Sequence, residues 1–373
     1  MKRIIYADNA ATTQMSPLAL DTMMHYLKEE YGNASQPYSF ARGPQKALKN
    51  ARRIIANCIN ASPDEIYFTS GGSESDNWAI KNAILHNKVI ATSTIEHHAI
   101  LNACEFAAKN GMAVNLIPSS SNGILTPGDI KEALSEQSLL SIMLANNELG
   151  TIEPISQYSL LAKDYSSIMH TDAVQAVGHI DVDVKELGVD MLSASGHKFN
   201  GPKGIGFLYV KRGIDIEPLI HGGGQEFNKR AGTENIASIM AMAFALRENV
   251  VSLEDNQKHL YHLEEIILDK LSKAKIDYKR NGINQLPGLL SLSFVDADGE
   301  AILHRMDLMG ISISTGSACD SKDTHISHVL QAIGLEEKYA KGTVRISLGK
   351  YNTTDDAIRI AESLIKIVKE TNN

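Results

Sequence analysis

Between about residue 65 and residue 210, short apolar runs alternate with stretches of helical spacing, which is the pattern of a parallel α/β sheet. The strands this pattern predicts are Glu65–Thr69, Lys88–Ser93, Leu140–Ala145, Ser167–His170, Val189–Ser193 and Ile205–Val210. The first five run directly into polar groups: Ser70-Gly-Gly-Ser73, Glu96-His97, Asn146-Asn147-Glu148, Asp172, and Ser195 with His197 and Lys198. One polar ending carries little information. Five on one sheet offer a phosphate-type turn, an imidazole, an amide, a carboxylate and an amine at the carboxyl edge, where open α/β sheets bind ligands.

Flanking this region, Pro17–Tyr31 and Gln45–Asn57 have helical spacing, and Gly32–Pro37 is a loop. Beyond Tyr209 the rhythm changes. His221-Gly-Gly-Gly-Gln-Glu226 reads as a flexible loop, Asn235 to about Asn256 as a long helix, and Glu254–Lys275 as its continuation. Leu289–Phe294, Ile311–Ser314 and Val344–Leu348 are short alternating strands, and a helix from Asp355 to Val368 closes the chain. The expectation is an α/β fold of two domains. Residues 14–254 form a large domain on a mostly parallel central sheet, and residues 1–13 with 255–373 form a smaller α+β domain.

Composition adds bounds. The 373 residues, 43% hydrophobic and 21% charged, describe an ordinary globular chain. A net charge of −8 argues against a nucleic-acid or anionic-membrane partner. The apolar start before Asp8 is too short for a signal peptide, and Ile236–Leu246 is well short of a membrane span of about 20 residues. Three scattered cysteines, Cys58, Cys104 and Cys319, suit a reducing cytoplasm with at most one functional thiol.

Lys198 sits between two strands in Ser195-Gly-His-Lys-Phe-Asn-Gly-Pro-Lys-Gly204. A lysine desolvated in such a turn suits Schiff-base chemistry, whereas a lone loop lysine is more often solvated. Ser70-Gly-Gly-Ser-Glu-Ser-Asp76 opens a helix whose free N–H groups could face an anion, and Ser73 with Asp76 has the spacing of a capping box. Asp172 could cap a helix or keep a pyridine nitrogen protonated, and Gln175 could reach a ring hydroxyl. Of His97 and His98, one suits acid–base work against a ring and the other packing. Asn147 and Arg345 suit a carboxylate. Cys319, in Ser314-Thr-Gly-Ser-Ala-Cys-Asp-Ser321, reads as an exposed thiol, while Cys58 and Cys104 read as packing. His325 and His328 with one cysteine make no zinc pattern.

These residues resemble a known family over essentially the whole chain. Asp8-Asn-Ala-Ala-Thr-Thr13, Thr69-Ser-Gly-Gly-Ser-Glu-Ser-Asp-Asn77, Asn146-Asn-Glu-Leu-Gly150, Asp172-Ala-Val-Gln175, Ser195-Gly-His-Lys198, Gly222-Gly-Gly-Gln-Glu226, Arg230-Ala-Gly-Thr233, Gly316-Ser-Ala-Cys319 and Arg345-Ile-Ser-Leu-Gly349 look like the cysteine desulfurases. Those enzymes belong to the class V aminotransferase group of fold type I, which uses pyridoxal 5'-phosphate (PLP). The long loop after Cys319 is of the NifS/IscS kind.

The resemblance implies a role for each matching residue. Lys198 holds the cofactor as a Schiff base and shuttles protons, and His97 stacks on the ring as acid and base. Asp172 pairs with the ring nitrogen and Gln175 with the ring oxygen. Gly72, Ser73, Ser195 and His197 hold the phosphate, with Thr233 reaching it from the other subunit of a homodimer. Asn147 contacts the cofactor or, with Arg345, grips the carboxylate of L-cysteine. Cys319 takes the sulfur as a persulfide, leaves L-alanine, and passes the sulfur to acceptor proteins for iron–sulfur clusters or tRNA thiolation. No metal site is implied beyond a transient iron–sulfur cluster contact at Cys319. The alternatives are a selenocysteine lyase or other class V PLP enzyme, and a catalytically weak docking protein. One stretch departs from the family pattern Gly-Asn-Pro-Ser-Ser-x-His-x-x-Gly. In Gly32-Asn-Ala-Ser-Gln-Pro-Tyr38-Ser-Phe-Ala41, Tyr38 replaces the histidine and Ala41 the glycine; Ser73 stands where threonine is common.

Overall fold

The computed structural model describes residues 4–86, 88–316 and 326–371. Its twelve strands in chain order are β1 (Ile5–Tyr6), β2 (Ile66–Thr69), β3 (Ile90–Ser93), β4 (Val114–Ile117), β5 (Leu139–Ser141), β6 (Ile168–Asp172), β7 (Met191–Ser195), β8 (Gly206–Val210), β9 (Tyr278–Arg280), β10 (Leu289–Phe294), β11 (Ile311–Ser312) and β12 (Thr343–Ser347). Seven of them form one sheet in the order β2-β8-β7-β6-β5-β3-β4. β8 pairs antiparallel with both β7 and β2, and every other pairing within this sheet is parallel, so its remaining strands share one direction. The alternation of strands and helices in the sequence therefore predicts the sheet class correctly.

The central strands β5 to β8 are buried almost throughout, which is why they read as continuous apolar runs. The edge strand β4 is half exposed and its Val-Asn-Leu-Ile reads as no strand, so sequence patterning misses it. β5 is shorter than the expected Leu140–Ala145. After Ser141 the chain leaves β3 but stays bonded to β6, through Ile142 N to His170 O and Leu144 N to Asp172 O.

Helices cover both faces. In Arg42–Cys58 the buried Pro44, Ala47, Ala51, Ile54 and Ile55 lie on one stripe. Ser16 caps the Pro17–Lys28 helix through Ala19 N, with Pro17 at its first position. Both helices pack on Ile236–Val251, which is buried on most of its surface. The expected continuous helix past Asn256 is broken: Ile236–Val251 and Leu253–Lys273 meet at 71°. Among the described residues no single helix is long and apolar enough to cross a membrane.

A second core lies apart from the first. It gathers Ile5, Ala7, Leu263, Ile267, Leu290, Leu292, Val344, Ile346, Ile360 and Leu364 between the three-stranded sheet β12-β10-β9, the β1–β11 pair and the helices Leu253–Lys273 and Thr354–Thr371.

The Gly222–Glu226 stretch is no simple loop. Glu226, Phe227 and Asn228 all have left-handed backbone, with φ of 46°, 58° and 64°. Each such residue without glycine's freedom costs roughly 1–2 kcal/mol. The turn persists because Glu226 is buried: its carboxylate accepts from Phe68 N at 2.8 Å and forms a bidentate pair with the buried Arg52, whose guanidinium lies over the Phe68 and Phe227 rings. Arg52→Ala should therefore cost about 3–5 kcal/mol by urea denaturation, because the Glu226 carboxylate is left buried and unpaired. A loss under about 1 kcal/mol, the range of a surface pair, would show that the turn does not depend on it.

Candidate active site

Past the carboxyl ends of β2, β3, β5, β6 and β7 lies a cavity of about 520 Å³. That size is typical of small-molecule sites, which span roughly 300–1,000 Å³. Gly72, Ser73, His97, Asn147, Asp172, Gln175, Ser195, His197, Lys198 and Arg345 all line it, so the structure brings together these residues predicted from sequence. Thr233 is exposed and does not line it. Cys319 and His325 lie outside the described residues.

β2 delivers the anion end. Gly71, at φ 150°, is the N-cap of the Gly72–Leu85 helix and offers no capping side chain. The expected capping box of Ser73 and Asp76 does not form, because the helix already begins at Gly72 and Asp76 turns into the interior, 1% exposed. Glu74 accepts from Ser70 N and is held by Arg230 at 2.9 Å. The helix N–H groups at Gly72 and Ser73 thus have no side-chain cap beside the cavity, an arrangement that favours an anion. Gly206, the first residue of β8, passes so close that a Cβ there would collide with Ala194 O and the Gly71 backbone.

Asp172 ends β6 and is 5% exposed. Burial pushes its carboxyl up, while the Val174 N–H at 2.9 Å and the nearby Lys198 favour the charged form. Gln175 donates to Ala10 O at 2.9 Å. From the turn after β7, the Lys198 amine donates to Ala10 O at 2.6 Å and Ala11 O at 3.0 Å. His197 bonds Thr12 Oγ1 at 3.1 Å through Nδ1, and burial together with Lys198 and Lys203 lowers it to about 4, so it is a neutral ring. His97 caps the His98–Lys109 helix: Nδ1 accepts from Ala99 N at 3.1 Å, which places the proton of the neutral ring on Nε2. The ring of His98 lies instead against His328, at 4.6 Å between centroids.

Arg345 comes from β12 of the second core yet reaches the same cavity. It is 3% exposed, donates to Asn147 O at 2.8 Å and pairs with Asp8 at 2.8 Å. Ala10, Ala11 and Thr12 also line the site, with two carbonyls that meet Lys198 and a hydroxyl that meets His197. Backbone carbonyls leave no signal in residue identity, so only the run of small residues Ala10-Ala11 hinted at a close approach. Cys58 and Cys104 are packing thiols, as expected, pushed by burial up to about 11 and about 12.

A mostly parallel sheet with an amine, a carboxylate and an uncapped helix end at its carboxyl edge is the site of an α/β fold suited to an anionic small molecule. The chain belongs to the class-V aminotransferases, which it matches over residues 5–360, and within them to the cysteine desulfurases of the NifS/IscS branch. It is 45% identical over 377 residues to a cysteine desulfurase IscS of Dictyoglomus turgidum, an alignment covering 99% of this chain and 96% of the relative. Its fold is similar to that of a NifS-like protein, with a TM-score of 0.93, 33% identity, and coverage of 99% of this chain and 100% of the other. It is also similar to SspA solved in complex with cysteine, with a TM-score of 0.83, 35% identity, and coverage of 94% and 100%.

Glu96 makes the stability of the fold depend on pH. It is fully buried, hydrogen-bonded to Ser93 Oγ and Met143 N, and pushed by burial up to about 8. The folded state then holds a proton that the unfolded chain releases near pH 4.5, so stability falls as pH rises from about 4.5 to 8. Glu96→Gln should flatten this loss by roughly 2–4 kcal/mol between pH 5 and 8, measured by denaturation. Parallel curves for the two proteins would refute it. Separately, Gly206→Ala should weaken inorganic phosphate binding by pushing β8 off the Gly71 turn, with unchanged affinity counting against that reading.

Proposed function

We propose that this chain is a PLP-dependent L-cysteine desulfurase that converts L-cysteine to L-alanine and carries the sulfur as a persulfide on Cys319. The observation that carries it is the Lys198 amine facing the same cavity as Asp172, the uncapped helix end and Arg345. The fit to the cofactor rests on this donor set: an anion cradle without side-chain caps, a carboxylate for a ring nitrogen, and an amine able to form a Schiff base. When bound, PLP supplies an aldehyde that condenses with amines and a ring that accepts electrons.

The chain's own residues do the rest. Gly72, Ser73, Ser195 and His197 hold the phosphate. Asp172 keeps the ring nitrogen protonated and Gln175 meets the ring oxygen. Lys198 holds the group and moves protons at its Nζ, and His97 presents its Nε2 as acid and base. Arg345 and Asn147 orient the substrate carboxylate. The Cys319 thiol accepts one sulfur atom, so that L-cysteine plus thiol become L-alanine plus persulfide without an external oxidant. The complex of the similar SspA with cysteine favours this substrate.

A homodimer, in which Thr233 completes the phosphate site of the partner, accords with its exposed position off the site of its own chain. The division into residues 14–254 and residues 1–13 with 255–373 is supported by the second core, whose buried residues all come from 5–7 and 260–368. Transfer from Cys319 to acceptor proteins for iron–sulfur assembly or tRNA thiolation, in the cytoplasm, completes the reading.

Incubating the PLP-loaded protein with L-cysteine and a thiol reductant should release alanine and sulfide in equal amounts. Cys319→Ser should end sulfide release while the cofactor absorbance stays, and Lys198→Ala should lose that absorbance. Absence of alanine would sink the proposal. Turnover of selenocysteine that survives Cys319→Ser would favour a selenocysteine lyase instead.

A further inference from the structure

One wall of the cavity carries a second carboxyl that the reaction above does not use. Asp76, in the first turns of the Gly72–Leu85 helix, is 1% exposed and lines the cavity, and its Oδ1 has no hydrogen-bond partner among the described residues. That oxygen lies 3.9 Å from Nε2 of His170, which is itself fully buried. His170 stands two residues before Asp172 on β6, so both side chains share one face of the strand. Its Nε2 meets Ser193 Oγ at 3.0 Å and its Nδ1 meets Ser141 Oγ at 2.8 Å. Ser193 is also a side-chain partner of Asp76 and pairs in register with Asp172.

Asp76 and Asp172 are both buried beside the same cavity, so charging the two together is costly. His170 offers no balancing cation, since burial drives it down to about 3. The titratable groups around Asp76 are Asp172 and His170 from β6 and Glu96 from the turn after β3, while Lys198 acts on Asp172 from the turn after β7. Asp172 has the Val174 N–H and Lys198 to favour its charge. Asp76 lacks both, and burial and the Asp172 charge push it well above the usual carboxylate range.

We infer that Asp76 is a positioning residue for the ring nitrogen of the cofactor: a second carboxyl in the wall that holds Asp172, set against His170 and Ser193, that would take over the pairing with that nitrogen when Asp172 is neutralised. This rests on the PLP reading above, and it adds a reserve carboxyl to that site.

The test compares wild type with Asp76→Asn, Asp172→Asn and the double variant. In the cofactor-free proteins, the difference between Asp76→Asn and wild type in thermal denaturation from pH 6 to 8 reads the Asp76 carboxyl apart from the cofactor. A proton held by the folded state above the unfolded value makes stability fall as pH rises, so Asp76→Asn should gain on wild type toward pH 8. Asp76→Asn losing stability toward pH 8 would mean that Asp76 is ionised in the fold, and would overturn the inference. In the PLP-loaded proteins, the pH midpoint of the visible cofactor absorbance should stay near wild type in Asp76→Asn and move in Asp172→Asn. The double variant should bind PLP about tenfold more weakly than Asp172→Asn, the equivalent of one pKa unit. Equal affinity of the double variant and Asp172→Asn would also overturn it. Wild type that takes up no PLP would instead bring down the cofactor reading beneath it, an outcome the denaturation series keeps separate.

Discussion

Two peptide carbonyls, Ala10 O and Ala11 O, fix the amine on which the proposed chemistry turns. They belong to an irregular segment, so that segment must be held from outside itself. It is held at both ends. Toward the second core, Asp8 pairs with Arg345, Asn9 Nδ2 donates to Ser347 O, and Ala10 N donates to Ser347 Oγ. Toward the first, Thr13 Oγ1 donates to His197 O and accepts from Asn200 N. Residues 8–13 are therefore a strap shared by both cores, and Lys198 bonds the carbonyls at its middle.

The same economy governs charge. The sheet edge collects cationic groups, carboxyls and a helix end around one cavity, and Lys198, Glu74 and Arg345 each meet a partner there. Glu74, in the first turn of the anion-binding helix, would oppose an incoming phosphate if it faced the cavity alone. Its oxygens are turned to Arg230 and the Ser70 N–H, which leaves the helix end electropositive. The three left-handed residues at Glu226 to Asn228 bend the chain just before Arg230, and the buried Arg52–Glu226 pair keeps that bend. A strained turn on the far side of β2 thus supports the charge balance at the phosphate end.

Much of this was legible in the sequence because buried parallel strands are apolar on both faces and stop abruptly at their polar ends. Asp172, His97 and Lys198 stand at such stops. What was not legible depends on partners distant in the chain. The spacing of Ser73 and Asp76 matches a cap, yet Gly71 starts the helix earlier and the sheet draws Asp76 inward toward His170. β4 escaped notice because an edge strand needs only one buried face. The break at Ser252 carries no proline or glycine, so nothing local announces the 71° turn that leads into the second core.

Arg345 shows why the two cores act on the site as one body. A guanidinium that is 3% exposed is expensive to bury, and two of its contacts, Asp8 and the Asn147 carbonyl, offset that cost and fix the plane of the fork. Asp8 sits two residues from Ala10 on the same strap. Any shift of β12 that moves Arg345 must either break a nearly buried ion pair or pull the strap with it, and the strap carries the carbonyls that hold Lys198. Breaking the pair costs several kcal/mol, so the cheaper motion is a joint one. The carboxylate-binding arginine and the reactive amine are thereby kept in register, although they stand on elements separated by more than a hundred residues.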